Sequence, residues 1–194
     1  MPAKALPALP DPFTFAQARA AGLTKYALYQ LRDSRKIEAI GHGIYRRAAS
    51  KPAEEDLLEI VMRAPRATLC LATALVHHGL SDMIPPARDV ALPRGTRAPA
   101  TRAIVQWHYF DPSTFDLGRT TLRVGAHLEI GLYSSERSIV DAFRTRGHQG
   151  PELANEALRR WLRQRGATPA RLLAFAAHFP RTVAPIRAAL QVLL

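Results

Sequence analysis

The chain reads as α+β: a small helical N-terminal part ends in a β-hairpin, and a larger mixed α/β part with a small sheet finishes in C-terminal helices. Three observations carry this reading. Two short helical runs, FAQARAAG and TKYALYQLRDSRK, meet at Gly22 and are followed by the β-like runs IEAI and IYRR around Gly41, His42 and Gly43. Beyond Lys51 and Pro52 a helical run gives way to strand-like DVAL, AIVQWHY, TLRV and HLEIGLY, and helices return from Ser135. A length of 194 residues suits a domain of about fifty residues followed by one of roughly 100–150. The expected boundaries are 1–52 and 53–194.

Residues 1–12 hold four prolines, which oppose regular structure and predict an extended arm. Thr14 precedes a helix of about two turns, with Phe15, Ala18 and Ala20 or Ala21 on one side and Gly22 as its left-handed stop. Thr24 is a good N-cap hydroxyl for the second helix, whose Ala27, Leu28 and Leu31 share a face. The glycines of the 41–43 loop permit the positive φ that a tight hairpin needs. A linker is expected at Lys51–Pro52, and EEDLLEIVMRA then starts a helix with acids in its first turn, where they complement the helix dipole.

In the second part, Ala67–Leu69 is a β-like start. Leu71, Leu75 and Val76 form a helical stripe ended by Gly79 and covered by Leu80. Ser135 caps a helix carrying Ile139, Val140 and Phe143. Pro151 and Pro169 open two more, since a first helical turn tolerates proline, and a last helix runs from about Thr182 to Leu194. That helix, with Ile186, Leu190 and Leu193 at near-helical spacing, could pack on its own core or on a partner.

Helix, glycine turn and capped helix are the outline of a helix-turn-helix, and the hairpin behind them is a candidate wing. In such a motif the N-terminal residues of the second helix face base edges in the major groove, which directs attention to Thr24, Lys25, Tyr26, Tyr29, Gln30 and Arg32. Lys, Gln and Arg offer groups for base edges and phosphates; Tyr offers an apolar ring for a thymine methyl and a hydroxyl for phosphate. Arg35 and Lys36 continue the basic track towards the hairpin, where His42, Arg46 and Arg47 could reach a backbone or minor groove. The chain carries 27 Lys or Arg against 16 Asp or Glu, net +11, a balance suited to polyphosphate partners. Residues 1–52 hold nine basic and three acidic side chains, whereas 53–194 hold eighteen and thirteen. The charge density is therefore expected to peak in the first part. The alternative is a helical subdomain with an ordinary solvated basic face in an arginine-rich chain.

The run FTFAQARAAGLTKYALYQLRDSRKIEAIGHGIYRR resembles the winged helix of AbiEi-type antitoxins of type IV toxin–antitoxin systems, through Gly22, Leu31, Gly43 and Tyr45. ATALVHHGL and SSERSIVDAF resemble two segments of that family's second domain. The resemblance implies a repressor of its own operon that binds inverted repeats in double-stranded promoter DNA. It also implies an antitoxin that counteracts a nucleotidyltransferase toxin encoded beside it, with a C-terminal domain needed for that activity and no catalytic residues to carry over. A second reading is a protein-interaction module that neutralises a partner through its C-terminal domain, with DNA binding secondary. Arg137 and Asp141, spaced i,i+4, are the candidates there, either as an ordinary ion pair or as antitoxin residues.

Enzymatic and cofactor-binding classes are disfavoured. A nucleotidyltransferase needs paired metal-binding acids such as D-x-D, and none occurs. A restriction-type nuclease needs E-x-K, but all four lysines lie at or before position 51. Cys70 and His77 have helical spacing yet are too few for a metal site, His78 points elsewhere, and one cysteine makes no internal disulfide. No cofactor is expected. Prolines break any apolar run near the N-terminus, so neither a signal peptide nor a membrane span is expected and the location is read as cytoplasmic.

Overall fold

A computed structural model describes residues 6–50, 53–149 and 151–194. The chain is α+β and divides into two compact units. The first takes in the chain up to Pro65 with residues 99–103 and 122–130; the second comprises 66–98, 104–121 and 131–194. Among the described residues no helix is long and apolar enough to cross a membrane.

In the first unit, β1 (Phe13–Thr14), α1 (Phe15–Ala20), α2 (Lys25–Asp33), β2 (Ile37–Gly41), β3 (Ile44–Arg47) and α3 (Glu55–Arg63) follow in order. Thr14 caps α1 through a capping box with Gln17, which satisfies donors that the first turn would otherwise leave unpaired. The helix stops at Gly22, φ 84°: Leu23 N donates to Ala18 O and Gly22 N to Arg19 O, the paired bonds of a Schellman turn. α2 ends the same way and three residues before the expected Lys36, because Arg35 takes φ 55° while Lys36 N donates to Leu31 O and Arg35 N to Arg32 O. A three-stranded sheet in the order β1-β3-β2 follows; its two-residue β1 has no signature in the sequence. Phe13, Ala18, Leu23, Leu28, Leu31 and Ile37 form the core, and each large side chain among them contributes about 1.5–3 kcal/mol by leaving water.

The proline-rich arm differs from expectation where it is described. Residues 6–8 make one 3-10 turn, Leu9 is buried and Leu6 packs on the core. Asp11 accepts from Arg47 N at 2.8 Å and from the Ser50 hydroxyl. Apolar Leu6 and Leu9 lie between the prolines, so the segment buries side chains without needing a helix or strand. The expectation for residues 1–5 and the Lys51–Pro52 linker fall outside the described residues. α3, placed by sequence in the second domain, packs on β2 within the first unit.

The second unit carries a five-stranded sheet in the order β6-β5-β4-β8-β7, formed by β4 (Thr68–Leu69), β5 (Arg88–Pro93), β6 (Val105–Phe110), β7 (Arg119–Val124) and β8 (Leu128–Tyr133). The end of the β7–β8 pair belongs to the first unit. β4 runs antiparallel to β5 and parallel to β8, and β5 runs parallel to β6. The helices are α4 (Leu71–His77), α5 (Pro112–Phe115), α6 (Ser135–Gln149), α7 (Pro151–Leu162), α8 (Pro169–Ala176) and α9 (Pro180–Leu193). α9 starts two residues before Thr182, with Pro180 in its first turn. Ile139, Val140, Leu158, Trp161, Leu172, Ile186 and Leu190 fill the core between these helices. Val76 departs from the expected stripe and is exposed, whereas Leu71 and Leu75 are buried.

Candidate nucleic-acid interface

The local sequence explains why α2 offers one face to solvent. Thr24 Oγ1 accepts from Ala27 N at 3.1 Å and fixes the start of the helix. Leu28 and Leu31 are buried, so the 100° step per residue turns Lys25, Tyr26, Tyr29, Gln30 and Arg32 outwards. All five are exposed, Tyr26 to 71%. Gln30 Nε2 donates to Tyr26 Oη at 2.6 Å, one turn apart. Lys25 Nζ lies 5.6 Å and the Arg32 guanidinium 4.9 Å from the centre of the Tyr29 ring. The two cation–π contacts are worth about 0.5–1 kcal/mol each at an exposed site. Arg32 also pairs with Asp33 at 3.1 Å, an exposed pair worth about 0–1 kcal/mol. Thr24, Arg35, Lys36 and His42 are exposed as well.

Arg46 and Arg47 are placed otherwise than the sequence reading expects. Strand alternation puts Arg46 on the buried side of β3 with Ile44, leaving it 7% exposed. Its guanidinium faces Glu38 at 3.9 Å and Glu55 at 3.5 Å and donates to Ser50 O at 3.2 Å. Arg47 is half-buried and donates to Leu9 O. Both therefore brace the hairpin, and its outward basic residue is His42 at the turn.

α2, the hairpin, the start of α1 and the end of α3 border an open groove of about 1010 Å³ whose walls include Lys25, Tyr29, Arg32, His42 and Arg63. Arg63 lies outside the sequence-based set. It donates from Nη2 to His42 O at 2.8 Å and from Nε to Glu59 at 3.0 Å. Glu59, 1% exposed, also accepts from Arg102 N at 2.8 Å and Ala103 N at 3.1 Å, and Arg102 Nη1 donates to Ala39 O at 3.0 Å. A buried carboxylate with three donors thus ties α3, residues 102–103 and the hairpin together. Gly41 is required by that approach, since a Cβ there would collide with the Glu59 carboxylate; positive φ falls on Gly43 alone of the two loop glycines. The available signal was a glutamate inside the apolar run LLEIV with an arginine four residues later.

In the second unit Arg137 and Asp141 form no ordinary surface pair. They are 0% and 1% exposed and 2.8 Å apart. Arg137 Nη1 donates to Thr114 O and Leu117 O, both at 2.7 Å, and its guanidinium stacks 4.3 Å from Tyr133 and 4.6 Å from Phe179. Asp141 also accepts from Arg144 at 2.6 Å. So enclosed, they hold α6 to the α5 region. His78 ends α4 and contacts Tyr133 O through Nε2 at 2.7 Å. Cys70 is buried beside Asp89 and Asp141, and burial first, then those carboxylates, push its thiol well above the usual range.

Two helices meeting at a glycine turn, the second presenting an ordered polar face beside a hairpin, define a winged helix-turn-helix, the architecture of DNA-binding regulators. Residues 7–48 match the family of transcriptional regulators described as AbiEi antitoxins. That match ends one residue past β3 and so covers the two helices and the hairpin. No curated protein matches the chain.

Proposed function

We propose that this protein is a cytoplasmic, non-enzymatic DNA-binding antitoxin that represses its own operon and counteracts a nucleotidyltransferase toxin encoded beside it. Residues 1–52 are the reader, and 53–194 serve the antitoxin activity. The observation that carries the reading is the solvent face of α2, where Lys25, Tyr26, Tyr29, Gln30 and Arg32 are ordered by mutual contacts beside a cationic groove.

α2 enters the major groove of double-stranded operator DNA with its Thr24 end foremost. Lys25, Gln30 and Arg32 read base edges, Tyr26 and Tyr29 offer rings to thymine methyls, and Arg35, Lys36 and His42 meet phosphates. Arg46 and Arg47 act from beneath, by holding the hairpin that carries His42. Inverted repeats in the promoter imply two copies per operator, each reading one half-site.

Fluorescence anisotropy of the protein on its own upstream DNA and on a scrambled duplex, across a salt series, tests this. Selective binding that is lost when Lys25, Tyr29, Gln30 and Arg32 become Ala supports the reader. Equal weak binding to both duplexes, unaffected by those changes, removes it. The second reading, a partner-binding module, is favoured by one observation: residues 143–194 contain nine Arg against Glu152 and Glu156 only.

A further inference from the structure

An apolar groove lies within that stretch, with Arg146 and Arg159 of the basic block in its lining. α9 has two adjacent stripes. Thr182, Ile186 and Leu190 face the core and are buried. Pro185, Ala188, Ala189 and Val192, at i, i+3, i+4 and i+7, line a groove of about 470 Å³ with residues of α6 and α7. Val192 is 85% exposed. The polar groups in the lining are Arg146, Asn155 and Arg159, and both arginines are exposed.

We infer that this groove is a docking site for an amphipathic, acidic helix of a partner protein. The i, i+3, i+4, i+7 stripe is the mirror of the anchor pattern by which a helix seats in an apolar groove. Alanines at its centre keep α9 shallow there, so a visiting helix can approach closely. Arg146 and Arg159 supply the charge that selects acidic flanks, whereas Arg144, Arg160 and Arg171 of the same stretch are paired with Asp141, Asp82 and Glu136. A nucleic acid fits less well, because its phosphates would lie against Pro, Ala, Val and Leu with two arginines to neutralise them. Docking here asks nothing of α2, so it stands or falls separately from the DNA reading.

The test uses the full chain and three fluorescent peptides of about four turns: a Leu/Glu amphipathic helix, the same peptide with Gln for Glu, and polyglutamate. The Leu/Glu peptide is expected to bind about tenfold or more tighter than either other peptide. Val192→Glu and the double change Arg146→Ala, Arg159→Ala are each expected to weaken it by a similar factor. Far-UV circular dichroism and operator binding remain as in the parent, since all three side chains are exposed. Polyglutamate binding as well as the Leu/Glu peptide would reduce the site to a diffuse polyanion effect and overturn the proposal. So would Gln and Glu peptides binding alike, or a Val192→Glu variant that binds normally. Concentration-dependent self-association abolished by Val192→Glu would assign the groove to a second copy of this chain instead.

Discussion

Helices α2 and α6 each carry an arginine next to or one turn from an aspartate, and the two pairs have opposite fates. Arg32 and Asp33 keep 48% and 69% of their side-chain surface in water; Arg137 and Asp141 keep 0% and 1%. On α2 the charges cost little to hold and remain available to a partner. On α6 both ions are desolvated, and the loss is offset by the pair itself, two carbonyl acceptors, Arg144 and the faces of Tyr133 and Phe179. The same residue types are thus a solvent-exposed pair in one helix and a structural bolt in the other. Which role applies depends on the face that neighbouring elements cover.

The sharpest way to break this contrast is to remove one partner from the buried pair. Arg137→Ala or Asp141→Asn is expected to destabilise the protein by about 3–5 kcal/mol, because an uncompensated ion or an unused set of acceptors remains buried. Urea unfolding measures it; a loss below about 1 kcal/mol for the single variants would make the pair ordinary after all.

Substitutions on α2 should do the reverse. Each of Lys25→Ala, Gln30→Ala and Arg32→Ala is expected to cost about 1–3 kcal/mol of discrimination if it meets a base, or to lower the salt slope by about 1 if it meets a phosphate. Unfolding midpoints should shift by no more than about 0.5 kcal/mol equivalent. Large losses of stability from these changes would erase the distinction between the two helices.

Thr24→Ala probes the boundary between those extremes. Loss of its bond to Ala27 N is expected to cost about 1 kcal/mol of stability, with weaker DNA binding following from a frayed start to α2. Hydrogen exchange at Ala27 would register the change directly. The smallest effect is expected from Arg35→Gly. Relieving φ 55° should stabilise the turn by about 1 kcal/mol or less, while the lost guanidinium reduces the salt slope of DNA binding. No reduction of that slope would remove Arg35 from the phosphate contacts.

Much of the first unit was legible because its signals are local. Thr24 announces a cap, Gly22 announces a left-handed stop, and the glycines between the two β-like runs at 41–43 announce a hairpin. Arg46 shows where local signals end. Its alternation with Ile44 implies an inward side chain, but only Glu38, Glu55 and Ser50 arriving beneath it make that burial tolerable. β1 was illegible because two residues have no period; they become a strand only when β3 offers Tyr45 and Ile44 as partners. The second basic block was present in the residues, yet pooling 53–194 blends it with the acidic excess of 53–142.

By itself the sequence determined the elements that depend on neighbours within a few residues: caps, glycine stops, helical stripes, the hairpin and the solvent face of α2. Tertiary structure alone decided what distant segments do together. It turned Glu59 into the point where α3, residues 102–103 and the hairpin meet, placed Arg137 and Asp141 in the core, and left a second apolar stripe of α9 in a groove. The physical reason is that capping and periodicity are short-range properties of the backbone, whereas the worth of a charge or an exposed valine depends on which remote surface removes, or fails to remove, its water.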